Sequence, residues 1–71
     1  MPNRRPNTSL HVHSDRHGIW RVQPEGEPRV LSEHVSETDA ERAAKRHAAA
    51  TGAPEIVVHD RYDRVHSVTP R

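Results

Sequence analysis

Histidines are the chemically versatile side chains of this chain. Seven of its 71 residues are histidines, and the stretch HVHSDRH holds three of them, His11, His13 and His17. Imidazole binds divalent metal ions through a ring nitrogen, and it changes charge near about pH 6.5. On a β-strand, His11 and His13 would project from the same face, because side chains alternate with a period of two. The stretch therefore raises two hypotheses, a metal site and a pH-sensitive surface.

Composition restricts the class of protein. A chain of 71 residues is one domain with a thin core, which favours a second copy or another partner. Cysteine is absent, so thiolate metal ligands and disulfides are excluded. We predict a cytoplasmic protein without a membrane partner, since no apolar run is long enough for a signal peptide or a membrane span. The net charge of +1 provides no strong field to attract nucleic acid or anionic lipid.

Hydrophobic periodicity predicts the elements that carry the histidines. Residues 1–8 are interpreted as a disordered leader, and residues 9–69 as a single domain. Five segments have the alternation or the apolar run of a strand, and the third of them could instead be an extended approach to a helix. They are 9–13, 18–23, 29–35, 55–60 and 64–68.

One helix is predicted between the third and fourth strands. Residues 39–51 are rich in helix formers, Thr38 and Glu41 form a capping-box pattern, and Gly52 stands at the expected end. One stripe of this helix is mainly alanine, which predicts a close approach to the sheet. The predicted fold is α+β, a small antiparallel sheet with one covering helix, in the order β-β-(β)-α-β-β.

A further pattern consists of residues that follow one another along the chain: Trp20, Val22, the segment 38–44, Gly52, Val57, Val58 and His59. In this order, they resemble a small, mostly bacterial family, the domain-of-unknown-function family numbered 2188. The resemblance covers roughly residues 10–68, and it implies the fold but no activity and no cofactor. Where the family favours an Asp-Gly turn, this chain has Asp63 followed by Arg64.

Alternation along the strands places most of the histidines on one face of the sheet. With Leu10, Trp20, Val58 and Val65 directed inward, the opposite face mixes histidines with apolar residues, as protein interfaces do. We predict that this face binds a second copy of the chain or another protein; the competing interpretation is a face open to water. The predicted interface residues are His11, His13, Ile19, Arg21, Val57, His59, His66 and Val68.

A metal site is one alternative on the same face. Zinc or nickel needs three or four converging ligands, and four histidines are assigned to that face. The candidate ligands are His11, His13, His59 and His66. No other cofactor is expected.

Binding of nucleic acid is the other alternative. Arg42, Lys45 and Arg46 form a basic ridge on the helix, which could contact a phosphate backbone weakly. Acidic residues are interspersed, however, and two aromatic residues cannot support extensive base stacking. Catalysis is not predicted, because the chain has no cysteine nucleophile and no glycine-rich phosphate loop.

Overall fold

The structure, a computed structural model, describes residues 8–62 and 64–69. The predicted α+β class, the third strand and the single covering helix are confirmed. Apart from Thr8, the leader expected over residues 1–8 lies outside the described residues, as does Asp63 of the second hairpin turn. The elements are β1 (Leu10–Ser14), β2 (Trp20–Pro24), β3 (Ser32–His34), α1 (Glu37–Thr51), β4 (Ile56–His59) and β5 (Val65–Val68).

The five strands form one sheet in the order β3-β2-β1-β4-β5. Three neighbouring pairs are antiparallel, but β1 and β4 at the centre are parallel. The prediction of an antiparallel sheet is therefore wrong for this pair, and the sheet is mixed. The physical reason is the connection: α1 carries the chain back across the sheet between β3 and β4, and such a crossover lets β4 run in the direction of β1.

The core lies between the sheet and α1. Eleven hydrophobic residues of the described part are buried, and five of them are alanines. Alanine brings little apolar area, so most of the burial comes from the strand side chains, with Trp20 the largest. The core is thin, as the composition predicts. The buried helix residues are Ala40, Ala43, Ala44 and Ala48.

The ends of α1 are set by two local caps. The Oγ atom of Ser36 accepts a hydrogen bond of 3.1 Å from the backbone N–H of Asp39. Ser36, with extended backbone, is thus the N-cap, and the predicted cap Thr38 lies within the first turn. At the other end Gly52 adopts φ 77°, which glycine reaches without strain, and its N–H donates to the carbonyl of Ala48 at 2.8 Å.

Candidate functional site

The face of the sheet opposite α1 is the candidate site, and we call it the histidine face. Its residues alternate along each strand with those buried beneath the helix, so the register of the strands determines which of them are neighbours. From one edge of the sheet to the other, it consists of Glu33, Arg21, Gln23, His11, His13, Val57, His59, Val65 and Ser67.

The structure brings together six of the eight predicted interface residues. His11, His13, Arg21, Val57 and His59 lie on the histidine face, and Ile19 lies on the same side just before β2.

The placement of His66 and Val68 on this face is wrong. His66 is paired with Val58, and Val68 with Ile56, so both project towards the side of α1. Val65, predicted to point inward, is paired with His59 on the histidine face.

The turn between β4 and β5 explains this reversal. The backbone N–H of Asp60 donates to the carbonyl of Arg64 at 2.9 Å, which closes a turn with three residues between them. The Oδ1 atom of Asp60 also accepts the backbone N–H groups of Tyr62 and Arg64, at 2.8 and 2.9 Å. This closure sets the parity of β5, and a difference of one residue would exchange its two faces.

Three histidines form a cluster at the centre of the histidine face. The Nδ1 atom of His11 lies 2.9 Å from the Nε2 atom of His59, with the rings stacked at 5.2 Å between centroids. The ring of His13 stands edge-on to that of His59, at 6.4 Å. The parallel pairing of β1 with β4 causes this arrangement, because it places His59 beside two residues of a strand 48 positions away in sequence.

Two residues outside the cluster fix the tautomers of His11 and His13. The Nε2 atom of His11 lies 3.0 Å from a carboxylate oxygen of Glu25, and that of His13 lies 3.0 Å from Oε1 of Gln23. Both oxygens can only accept, so both Nε2 atoms carry hydrogen. The amide of Gln23 is itself oriented, because its Nε2 donates to the carbonyl of Glu27 at 2.7 Å.

The environment of the cluster lowers the pKa of His59. Burial has the largest effect, followed by the charges that His11 and His13 acquire when protonated. Each of these effects disfavours the imidazolium form. His59 therefore stays neutral to a lower pH than a free histidine.

An open groove of about 770 Å³ runs along the cluster. It is lined by the three histidines, by Ser14, Gln23 and Asp60, and by residues 24–28, which comprise the last residue of β2 and the start of the loop to β3. Its walls offer both donors and acceptors, and the side chain of Glu25 links the loop to the cluster.

Arg21 is fully engaged within the chain. Its guanidinium donates to Asp15 at 2.7 Å and to Glu33 at 3.0 Å. The hydrogen bond from Arg21, followed by that from the backbone of Ile19, lowers the pKa of Asp15 to about 2. The other oxygen of Asp15 accepts the backbone N–H groups of His17 and Ile19, which closes the first hairpin. The charge of Arg21 is thus neutralised locally.

The arrangement does not favour the metal hypothesis. Among the described residues, no three histidine or acidic side chains converge where a metal ion could bind. His11 and His59 contact each other directly, and His66 projects from the opposite face of the sheet. The four candidate histidines therefore do not converge on one site.

The basic ridge lies far from the cluster. Arg42, Lys45 and Arg46 are exposed, whereas the buried stripe of the same helix faces the sheet. The ridge and the histidine face thus lie on opposite sides of the molecule.

Sequence reasoning missed Gln23 and Glu25. Gln23 could have been found, because it alternates with Trp20 and Val22 in β2 and so shares the face of Arg21. Glu25 lies in a loop, where no periodicity indicates which way a side chain points.

Comparisons with known proteins do not assign this chain to a family. No family model matches the chain, and no curated protein and no solved structure matches it. The resemblance to the domain-of-unknown-function family numbered 2188 accordingly stays a prediction. None of the helices in the described part is long and apolar enough to cross a membrane.

Proposed function

We propose that this chain is a small, non-catalytic interaction module that binds a second copy of itself through the histidine face. One observation carries the proposal: α1 covers one face of the sheet, and no described element covers the other. We place the proposed module in the cytoplasm, a location with which the absence of cysteines is compatible.

The composition of the histidine face supports self-association. Ile19, Val57 and Val65 add apolar area beside the histidines, and Val65 is 58% exposed. Neutral imidazoles can be buried in an interface at modest cost, whereas unpaired charges cannot. The one arginine of the face already has two carboxylate partners, so burial would not leave it unpaired. A two-fold axis would bring the face against its own copy.

The thin core gives self-association a physical benefit. A domain of this size buries a small fraction of its surface, and apolar area removed from water contributes roughly 25 cal/mol per Å². Covering the histidine face would add to the apolar area buried beneath α1. The free energy of unfolding would therefore increase with the concentration of the protein.

Light scattering after size exclusion, at about pH 8 where histidines are neutral, tests the proposal. We expect the wild-type chain to elute as a dimer, and Val57→Glu to elute as a folded monomer because a carboxylate is introduced into the face. Val65→Glu, at an exposed position of the same face, provides a variant that the fold tolerates more readily. The control is Ala49→Glu, since Ala49 is exposed on α1, on the other side of the sheet. A wild-type monomer at every soluble concentration would refute the proposal.

A second candidate, a weak nucleic-acid-associated regulator, is supported by the basic ridge. All three of its cations are exposed, and within the described residues none of them forms an ion pair. Replacing Arg42, Lys45 and Arg46 together by Gln should abolish any gel shift at low salt. A wild-type chain that gives no shift removes this candidate.

A further inference from the structure

We infer that His11, His59 and Glu25 form a clamp between β1 and β4 with two protonation steps, in which one proton strengthens the contact between the two rings and a second proton breaks it. The clamp regulates the face of the proposed function. Its effect on self-association rests on that proposal, whereas the clamp itself is a property of the single chain.

The starting state, in which both rings are uncharged, follows from the contact between them. At 2.9 Å, the Nδ1 atom of His11 and the Nε2 atom of His59 have room for one hydrogen between them. Since the Nε2 atom of His11 is held by Glu25, the neutral ring presents a lone pair at Nδ1 and accepts from His59. The uncharged pair thus forms one hydrogen bond.

The first of the two protonation steps adds one proton to the pair. The added proton binds Nδ1 of His59, and the hydrogen on Nε2 of His59 passes to Nδ1 of His11. The charged His11 then donates to the lone pair of a neutral His59 and forms an ion pair with Glu25. His11 is therefore the preferred site, because it alone of the pair contacts a carboxylate. This state holds β1, β4 and the loop most tightly.

The second protonation step adds another proton to the pair. If His59 is also charged, both ring nitrogens of the contact carry hydrogen, and two N–H groups face each other at hydrogen-bond distance. The contact must break, because like charges so close repel strongly. The lowered pKa of His59 agrees with this resistance to a second proton.

Few charged groups near His11 and His59 influence these two protonation steps. Arg21 is paired with Asp15 and Glu33, Glu27 with Arg29, and Asp60 with Arg64. The partners on β5 are the uncharged Val65 and Ser67, of which Ser67 donates to Glu55. Of the titratable groups near the pair, Glu25 favours the first proton, whereas a charged His13 opposes the second.

Opening would alter the histidine face in two ways. The two rings would separate and widen the groove between them, while the loop stays attached through the backbone N–H of Glu25, which donates to the carbonyl of Ser9 at 2.9 Å. The face would also gain the positive charges of its histidines. A second copy bearing the same charges would be repelled, so the proposed dimer would dissociate in acid.

Ring NMR of the histidines in a dilute, monomeric sample of the wild-type chain tests the clamp apart from the dimer. Between about pH 8 and about pH 4.5, we expect His11 and His59 to titrate as a coupled pair, in two steps more than about one pH unit apart. We expect the backbone amide signals of His11 and His59 to follow the lower step, as the two rings separate. His66, exposed on the other face of the sheet, is the internal reference and should show no coupling to His11 or His59.

Two variants and two controls make the test specific. Glu25→Gln should lower the upper step by about half a pH unit or more, because the charged His11 then faces a neutral amide in place of a carboxylate. His59→Gln should leave His11 with a single step. Glu27→Gln, a loop carboxylate paired with Arg29, and His66→Gln should change neither step. Independent titration of His11 and His59, backbone amide signals of these two residues that do not respond to the lower step, or equal effects of the two loop variants would overturn the clamp.

Discussion

Asp15 is the residue whose charge state depends most on one neighbour. Its carboxylate accepts from Arg21 and closes the first hairpin, and its pKa is lowered to about 2 from 3.8. A carboxyl whose pKa is lowered by folding stabilises the folded state above its unfolded pKa. That contribution decreases as the pH falls towards the folded pKa.

Replacing Arg21 by Gln should therefore make the stability of the fold less dependent on acid. We expect the variant to be less stable than the wild type above about pH 4, with the difference shrinking as the pH falls towards about 2. Urea unfolding across this range measures it. Arg46→Gln, an exposed helix position, should give curves parallel to the wild type. A constant difference at all pH values would contradict the role of the Asp15 contact.

At the scale of the element, α1 depends on a hydroxyl at Ser36. An N-cap accepts one of the N–H groups that the first turn leaves without a partner, and its loss costs about 1 kcal/mol. Ser36→Ala should lower the free energy of unfolding by about that amount, as thermal or urea unfolding would show. Thr38→Ala removes a hydroxyl from the first turn and is the matched control. Equal losses from the two variants would contradict the assignment of Ser36 as the N-cap.

The contact between α1 and the sheet requires alanine at its centre. Ala44 is fully buried, and a larger side chain there must displace the helix or the strands beneath it. Ala44→Leu should destabilise the fold by about 1–3 kcal/mol. Ala49→Leu, on an exposed position of the same helix, should change stability little. A neutral Ala44→Leu would mean that the helix packs less closely than the structure shows.

At the scale of the whole molecule, acid should act on assembly through the histidine face. The pKa of His59 is lowered from 6.5, so the stabilisation it provides is complete above that pH and decreases as the pH falls towards the folded pKa. If the proposed dimer exists at about pH 8, it should dissociate at about pH 5.5, as light scattering would measure. His66→Gln should dissociate over the same range, since His66 lies on the other face. A dimer that persists unchanged at the lower pH would separate assembly from these histidines.

The elements of this protein were determined by local sequence. Alternation in β1 and β2, the alanine stripe of α1 and the stop at Gly52 each depend on neighbouring residues, and periodicity reports them directly. The face shared by His11 and His13 follows from the same period of two.

Only the tertiary structure decided which strands are neighbours and which face β5 presents. The helical crossover makes β4 run parallel to β1, and this brings His59 to His11. The turn closed by Asp60 sets the parity of β5, and this takes His66 away from them. The physical reason is that pairing between remote strands depends on register and connection, and a change of one residue in either moves every side chain of a strand to the other face.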